Sequence, residues 1–321
     1  MSFLYNNHHH TNTFPVIAGT LLGAGAGLLW ASQGAILTSY PPADRRGTYI
    51  SIFWCLYNLG GVFGGLFPFS FNYHRGSRKA ASVNDGTYIS FMAFMLIGAA
   101  LTLLILPPNK IVRDDGSKAT GFAYSSVAKE GTEILKLFTN WKMLLVLPAA
   151  WTSNFFYTYQ FNNVNGVLFT LRTQGLNNVF YCCRKRGLIG VTIVTVLGTA
   201  IWGGGLANQL RYRDGQWQEE LIDFKDGRRY AGPFLLFSSY GLLDAMFQSL
   251  VYWIIGALAN DSQMLSRYVG FYNGVQSAGA AVAWQIDMHK TSLITQLIVN
   301  WALMTVSCPL LVLLLLLAVK D

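Results

Sequence analysis

The chain has 321 residues, of which 52% are hydrophobic and only 12% are charged. Soluble globular domains carry about 25% charged residues. A disordered chain, a collagen, a coiled coil and an ordinary soluble enzyme are excluded, because each needs far more polar surface than this sequence provides. The class that fits is an integral membrane protein that crosses the bilayer several times.

The distribution of charge along the chain supports this class. Eight apolar stretches reach or approach the roughly 20 residues that a helix needs to cross the hydrocarbon. Every Lys and Arg, and every acidic residue except Asp244, lies outside them, as expected where a charge in lipid is costly. We therefore predict an all-α integral membrane protein. Its predicted spans are Phe14–Tyr40, Gly47–Phe69, Thr87–Pro108, Met143–Asn163, Gly187–Leu210, Gly232–Asn260, Tyr268–Ile286 and Thr291–Val319.

The spans form two groups on either side of a polar connection. Residues 1–108 hold three spans, residues 109–142 form the connection, and residues 143–321 hold five spans. Within the connection, apolar side chains recur at helical spacing beside Lys129 and Glu133, which predicts a short amphipathic helix on the membrane surface. The grouping is typical of a transporter with two halves joined by a central loop.

The chain has 23 Lys and Arg residues and a net charge of +8, and these basic residues are spread over all the connections between spans. Basic residues placed in this way face lipid headgroups, so the predicted partner is the bilayer and not a nucleic acid. For eight alternating spans, Lys and Arg divide 14 to 9 between the two sides, so the positive-inside rule orients the chain only weakly.

The sequence contains no recognisable catalytic or metal-binding pattern. There is no nucleophile triad and no zinc-protease motif, and the adjacent pair Cys182 and Cys183 lacks the spacing of a zinc site. His8, His9 and His10 stand in a polar N-terminal segment that we expect to be a mobile tail. We predict a protein that is not an enzyme and that binds no metal and no cofactor.

Asp244 is the most informative polar residue, because it is the only carboxylate in any span. Tyr240, Asp244, Gln248 and Tyr252 follow at four-residue steps and form one polar stripe on their helix. A rise of about 1.5 Å per residue puts Asp244 near the middle of the bilayer. Two readings stay open: a site for a substrate, cation or proton, or a structural hydrogen bond to a neighbouring helix.

Polar residues on other spans make a shared cavity the favoured interpretation, although each one alone is typical of a helix contact. The predicted substrate-binding residues are Gln33, Asn58, Gln160, Asp244, Gln248, Asn273 and Gln276. Glycines four residues apart, which let helices approach closely, predict helix contacts. They are the series Gly19, Gly23 and Gly27 and the pairs Gly60/Gly64, Gly61/Gly65 and Gly270/Gly274.

Several strings resemble one known family. They include Leu22-Gly-Ala-Gly-Ala-Gly-Leu-Leu-Trp30, Asn58-Leu-Gly-Gly61, Phe156-Tyr-Thr-Tyr-Gln-Phe-Asn162 and Tyr268-Val-Gly-Phe-Tyr-Asn-Gly-Val-Gln-Ser-Ala-Gly-Ala280. Together they are similar to the fungal branch of the uncoordinated-ninety-three-like membrane proteins, within the major facilitator superfamily. The resemblance extends over nearly the whole chain.

The resemblance implies a major-facilitator-type bundle of twelve helices in two halves, with a cavity between them and with both ends and the central loop 109–142 on the cytoplasmic side. It also implies that this chain begins just before the family's fourth helix, so that the first three helices are missing. Most of the eighth helix is expected to be missing where Tyr181-Cys-Cys183 joins Arg184-Lys185-Arg186. Eight helices then remain, which is the number of spans found from the apolar pattern.

Three functions fit these expectations. The leading one is secondary transport of a small solute by alternating access. The alternative from another class is a non-transporting subunit that regulates or traffics a channel, with a membrane protein as partner, a role associated with animal members of the family that the chain resembles. The third is an inactive fragment from a misassigned gene. The substrate, the coupling ion and the membrane are not specified by the sequence.

Overall fold

The computed structural model describes residues 2–42, 45–74, 84–107, 110–112, 116, 126–181, 190–211, 221–258 and 262–318. Within these ranges the regular elements are helices, and a single isolated bridge joins Phe169 to Ile222. The prediction of an all-α chain is confirmed. The α-helices are α1 (Ser2–His9), α2 (Thr13–Ser39), α3 (Arg46–Phe71), α4 (Asp85–Thr102), α5 (Val127–Lys136), α6 (Trp141–Phe155), α7 (Leu171–Tyr181), α8 (Gly190–Gln209), α9 (Arg228–Leu258), α10 (Ser262–Met288) and α11 (Leu293–Ala318).

Four of the described helices are long and apolar enough to cross a membrane. They are Thr13–Gly34 within α2, Asp85–Thr102, Arg228–Leu258 and Leu293–Ala318. Each coincides with a span predicted from the sequence, and the chain is an integral membrane protein with several spans. The other four predicted spans stay predictions.

The most tightly packed region is formed by α6, α9, α10 and α11. Met143, Val146, Ala149 and Ala150 recur at helical spacing along α6 and are completely buried, because α10 and α11 pack along that face. In contrast, α2 and α4 leave large side chains such as Leu28 and Leu96 exposed. Such surfaces suit contact with lipid.

Helix α5 lies where the sequence predicts an amphipathic helix, and its place on the membrane surface stays a prediction. Ser126 precedes it, and the Ser126 hydroxyl accepts a hydrogen bond from the backbone N–H of Lys129 (3.3 Å), as N-cap residues do. Arg267 of α10 donates two hydrogen bonds of 2.9 Å to the Glu130 carboxylate. The helix is therefore tied to the start of α10 as well as suited to the membrane surface.

Two local features differ from the expectation. Within the predicted span Met143–Asn163, α6 ends at Phe155 and a π-helical segment, Tyr159–Gly166, follows. That segment is rich in Asn, which hydrogen-bonds its surroundings in preference to extending an α-helix. The N-terminal tail is the short helix α1, and its His8 Nε2 lies 2.9 Å from Asp85 Oδ2.

The glycine pattern predicts the helix contacts only in part. In α3, Gly65 packs directly on the backbone of Gly175 in α7, and the two helices make an extensive interface there. The other predicted pairs are wrong wherever the structure tests them. Nothing lies within 4 Å of where a side chain would begin at seven of these glycines: Gly19, Gly23, Gly27, Gly60, Gly64, Gly270 and Gly274.

A buried ion pair joins α7 to the segment before α9. Arg172 Nε lies 2.7 Å from Asp223 Oδ2, and the two side chains are only 13% and 6% exposed. Arg172 also donates to the Tyr73 carbonyl at the end of α3 (2.8 Å). Burial acts to raise the pKa of Asp223, but hydrogen bonds from Arg172 and Thr170 prevail and lower it to about 2. The pair thus fastens α3, α7 and α9 together.

The lowered pKa of Asp223 makes a prediction about stability at acid pH. Because the folded-state pKa lies below the ordinary value of 3.8, the ionised carboxylate stabilises the fold above that value. We expect this contribution, about 2 kcal/mol, to be lost as the pH falls from 5 through 2. Thermal unfolding of the wild type and of Asp223→Asn in detergent measures it. The difference between the unfolding temperatures of the two proteins should shrink as the pH falls. A constant difference would contradict a stabilising role of the ionised Asp223 carboxylate.

Candidate functional site: the polar cluster around Asp244

The Asp244 carboxylate lies near the middle of α9 and is held by neutral donors. The Tyr157 hydroxyl donates to Oδ2 and Gln248 Nε2 donates to Oδ1, each at 2.8 Å. Asp244 is 8% exposed, and none of the Lys, Arg or His residues that the structure describes forms an ion pair with it. A buried carboxylate with neutral partners alone is costly unless a proton or a cation neutralises it.

Gln248 links Asp244 to helix α6. Its Nε2 lies 2.9 Å from the Tyr157 hydroxyl and 3.4 Å from both Asn154 Oδ1 and the Ser153 carbonyl, in addition to Asp244. An amide NH2 group has two hydrogens to donate, so it cannot satisfy four acceptors at once. Gln248 therefore shares its two hydrogens among these acceptors.

Helix α10 completes this network. Gln276 Nε2 donates to Asn154 Oδ1 (3.0 Å) and lies 3.3 Å from the Tyr272 hydroxyl. Asn154 Oδ1 is thus within reach of amide groups on both α9 and α10. Side chains from α6, α9 and α10 meet here, and a ligand bound to them would contact three helices.

A second polar contact extends the cluster along α9 and α10. The Tyr252 hydroxyl donates to Asn273 Oδ1 (2.9 Å), and the Tyr252 and Tyr272 rings are 4.9 Å apart. Asn273 Nδ2 is buried and has no hydrogen-bond partner in the described part of the chain. Such an unsatisfied donor is uncommon in proteins and marks a place where a further polar group would be stabilised.

The structure brings some of the predicted site residues together. Asp244, Gln248 and Gln276 belong to one hydrogen-bonded network, and Asn273 joins it through the packing of Tyr252 on Tyr272. The others lie elsewhere or are not described. Gln160 is buried in the π-helical segment, Gln33 is half-buried on α2, and the side chain of Asn58 lies outside the described residues. Their role in binding stays a prediction.

Sequence reasoning missed three members of the network. Asn154, Tyr157 and Tyr272 are not among the predicted site residues. The spacing of Tyr272 four residues before Gln276 was a signal available from the sequence. The direction in which the Asn154 side chain points could not be predicted from the sequence, because α6 carries polar residues on more than one side.

Comparison with known proteins identifies the family. Residues 1–161 match the family described as "Ion channel regulatory protein UNC-93". UNC93-like protein 1 and UNC93-like protein 2 of Arabidopsis thaliana are each 58% identical to the chain over 100% of its length and 74% of theirs. The chain belongs to the UNC-93 family. UNC93-like protein C922.05c of Schizosaccharomyces pombe is 37% identical over 94% of the chain and 64% of its own length.

These relatives confirm the family resemblance but not its fungal branch, because the plant proteins are more similar to this UNC-93 family member than the yeast protein is. The alignment with the plant relatives extends over 341 positions, although this chain has 321 residues. The plant proteins thus contribute about 20 aligned positions that have no counterpart here. The loss predicted between Tyr181 and Arg184 falls on residues outside the described part. No solved structure matches the chain.

Proposed function

We propose that this UNC-93 family member moves a small solute across the membrane by alternating access within a major-facilitator-type bundle. The polar cluster around Asp244 would bind a group that is positively charged or that donates hydrogen bonds. The observation that carries the proposal is the buried carboxylate of Asp244, whose described partners are the neutral side chains of Tyr157 and Gln248.

The chemistry of the surrounding side chains supports a donor-bearing solute. Asn154 Oδ1, the Ser153 carbonyl and the Tyr157 hydroxyl all compete for the two hydrogens of Gln248 Nε2. A protonated amine or a metal cation would neutralise Asp244 and would add a donor or a positive charge for the acceptors around Gln248. An anionic solute would increase the electrostatic cost.

The position of the cluster also suits transport. Helices α2 and α3 from the N-terminal group pack against α10 and α7 of the C-terminal group, so the cluster belongs to a bundle in which the two groups adjoin. Transporters place their substrate sites near the bilayer midplane between such groups. We include all seven predicted residues, Gln33, Asn58, Gln160, Asp244, Gln248, Asn273 and Gln276, in the proposed substrate path.

The test is uptake of small cations by proteoliposomes that contain the full chain. The probes are radiolabelled sodium, rubidium and methylammonium, offered with and without an imposed pH gradient. We expect accumulation of at least one probe above that of protein-free liposomes. Asp244→Asn should reduce this uptake at least about tenfold, because the loss of the charge removes an interaction worth about 1.4 kcal/mol or more.

The matched control is Asp85→Asn, which removes a carboxylate at the exposed start of α4 and should leave uptake unchanged. Monodisperse Asp244→Asn protein that accumulates the probes like the wild type would contradict the proposed role of Asp244. A wild type that accumulates none of the three probes would contradict transport of a small cation.

The family description favours a second candidate function. The model that matches residues 1–161 is described as an ion channel regulatory protein, and this candidate is a membrane subunit that alters a partner channel without moving a solute. The test compares whole-cell currents of host cells with and without the expressed chain. A change in those currents that persists in Asp244→Asn, together with no uptake in proteoliposomes, would favour regulation over transport.

A further inference from the structure

Helix α5 has one side packed on the protein and one side exposed. Glu130 and Glu133 face α10, where Arg267 Nε lies 2.9 Å from Glu130 Oε2 and Arg267 Nη1 lies 3.7 Å from Glu133 Oε2. Leu137, directly after α5, lies on the same side by helical spacing and is only 5% exposed. Leu135 lies on the opposite side and is 66% exposed. The contacts with α10 therefore hold α5 with an apolar side chain turned outward.

The charged side chains of this segment are sorted between its sides. Lys129 and Lys136 are seven residues apart, so both lie on one flank of the helix, and both are exposed. Lys136 contacts Glu133 (2.7 Å) and is still 70% exposed, and Lys129 forms no ion pair with any residue that the structure describes. Residues 126–142 and Arg267 together carry four basic and two acidic groups. This surface therefore has a net charge of +2, and its carboxylates are turned inward.

The chain enters the membrane directly after this surface. The fourth predicted span begins at Met143, and Trp141 and Lys142 precede it. Trp141 is 48% exposed, and Lys142 Nζ lies 5.9 Å from the centre of its ring. Trp at the end of a span is typical of the headgroup level, and Lys anchors spans there too. Because the Phe138 ring packs 4.8 Å from that of Phe271 in α10, the connection from α5 to α6 is fixed, and α5 is held at this level.

We propose that α5 and the start of α6 bind anionic phospholipids, with headgroup phosphates at Lys129, Lys136 and Lys142 and acyl chains against Leu135. Lysines can lay their apolar stems on such a surface and keep the charged end at the headgroups, and clusters of basic residues at a membrane attract anionic lipids. A zwitterionic lipid has the same acyl chains but no net charge. A water-soluble phosphate would match the lysines but leave Leu135 in water. This surface does not depend on the function proposed for Asp244.

The test is the thermal unfolding of the purified full chain in detergent, with phosphatidylglycerol or phosphatidylcholine of the same acyl chains at equal mole fraction. A lipid that binds only the folded state raises the midpoint of unfolding. We expect phosphatidylglycerol to raise it by about 3 °C over phosphatidylcholine. Salt at about 0.5 M should reduce this difference, because it screens exposed charges. Glycerol phosphate, the soluble headgroup alone, should leave the midpoint unchanged, and an equal effect from it would overturn binding of a lipid.

Variants then locate the lipid. The triple variant Lys129→Gln/Lys136→Gln/Lys142→Gln should lose most of the difference between the two lipids, and each single variant should lose part of it. Lys290→Gln is the matched control, because it removes an exposed charge just beyond the other end of α10, and it should keep the difference.

Two results would overturn the proposal. Equal midpoints of the wild type in the two lipids would show that α5 does not select anionic lipid, and would favour an acidic protein partner for its lysines. An advantage of phosphatidylglycerol that persists in the triple variant would show that the lipid binds elsewhere on the protein.

Discussion

Gly65→Ala is expected to lower the unfolding temperature by about 5 °C, although alanine is normally the better residue in a helix. A Cβ at Gly65 would lie 2.5 Å from the Gly175 carbonyl oxygen and 2.9 Å from the backbone nitrogen of Val179. Both atoms belong to the backbone of α7, so no side chain can rotate away. Helices α3 and α7 must separate, and overpacking of this kind costs about 2 kcal/mol.

The same helix offers a matched control. Gly60 lies on α3 five residues earlier and has nothing within 4 Å of where a Cβ would stand, so Gly60→Ala should leave the unfolding temperature unchanged or raise it slightly. Gly175→Ala approaches the contact from α7, where the new Cβ would lie 2.8 Å from the backbone nitrogen of Phe69, and should behave like Gly65→Ala. Equal stability of Gly65→Ala and Gly60→Ala would show that α3 and α7 do not cross at this point.

Arg172→Met should destabilise the protein by about 3 kcal/mol, because it leaves the Asp223 carboxylate buried without its cation. The substitution keeps the length of the apolar stem but removes the bidentate contact, in which Nε and Nη2 lie 2.7 Å and 3.0 Å from the carboxylate oxygens. It also removes the hydrogen bond to the Tyr73 carbonyl. Chemical or thermal unfolding in detergent measures the loss.

Lys136→Met is the matched control, because it breaks an ion pair with Glu133 on the surface helix α5, where the Lys136 side chain is 70% exposed. Exposed pairs contribute roughly 0 to 1 kcal/mol, so this variant should be close to the wild type. In the double variant Arg172→Met/Asp223→Leu the unpaired charge is gone, and part of the stability should return. If Arg172→Met alone costs no more than Lys136→Met, the buried pair does not fasten the helices.

Some of the candidate site could be predicted from the sequence because it depends on spacing along one helix. Asp244 and Gln248 are one helical turn apart, and their contact at 2.8 Å follows from that spacing. The partners on other helices could not be predicted in this way. Tyr157 reaches Asp244 across 87 positions of sequence, and Asn154 and Gln276 meet only because α6 packs against α10.

The glycines illustrate the same limit. Their four-residue spacing indicates a flat helix surface, but the surface needs a partner helix to become a contact. Gly65 has that partner in α7, whereas the evenly spaced Gly19, Gly23 and Gly27 on α2 have none in the described structure. The pattern along one helix is a local property, and which helix lies beside it is not.

The sequence by itself determined that this is a helical membrane protein, because hydrophobicity and the exclusion of charge act residue by residue along each span. Its family was indicated by a resemblance of specific strings, which the comparisons confirm. It also located the amphipathic helix α5 and the carboxylate of Asp244. Only the tertiary structure decided the break after Phe155, the crossing at Gly65 and the pairing of Arg172 with Asp223. These features depend on backbone contacts and buried hydrogen bonds between segments far apart in the chain, and their energy exists only once the helices have packed.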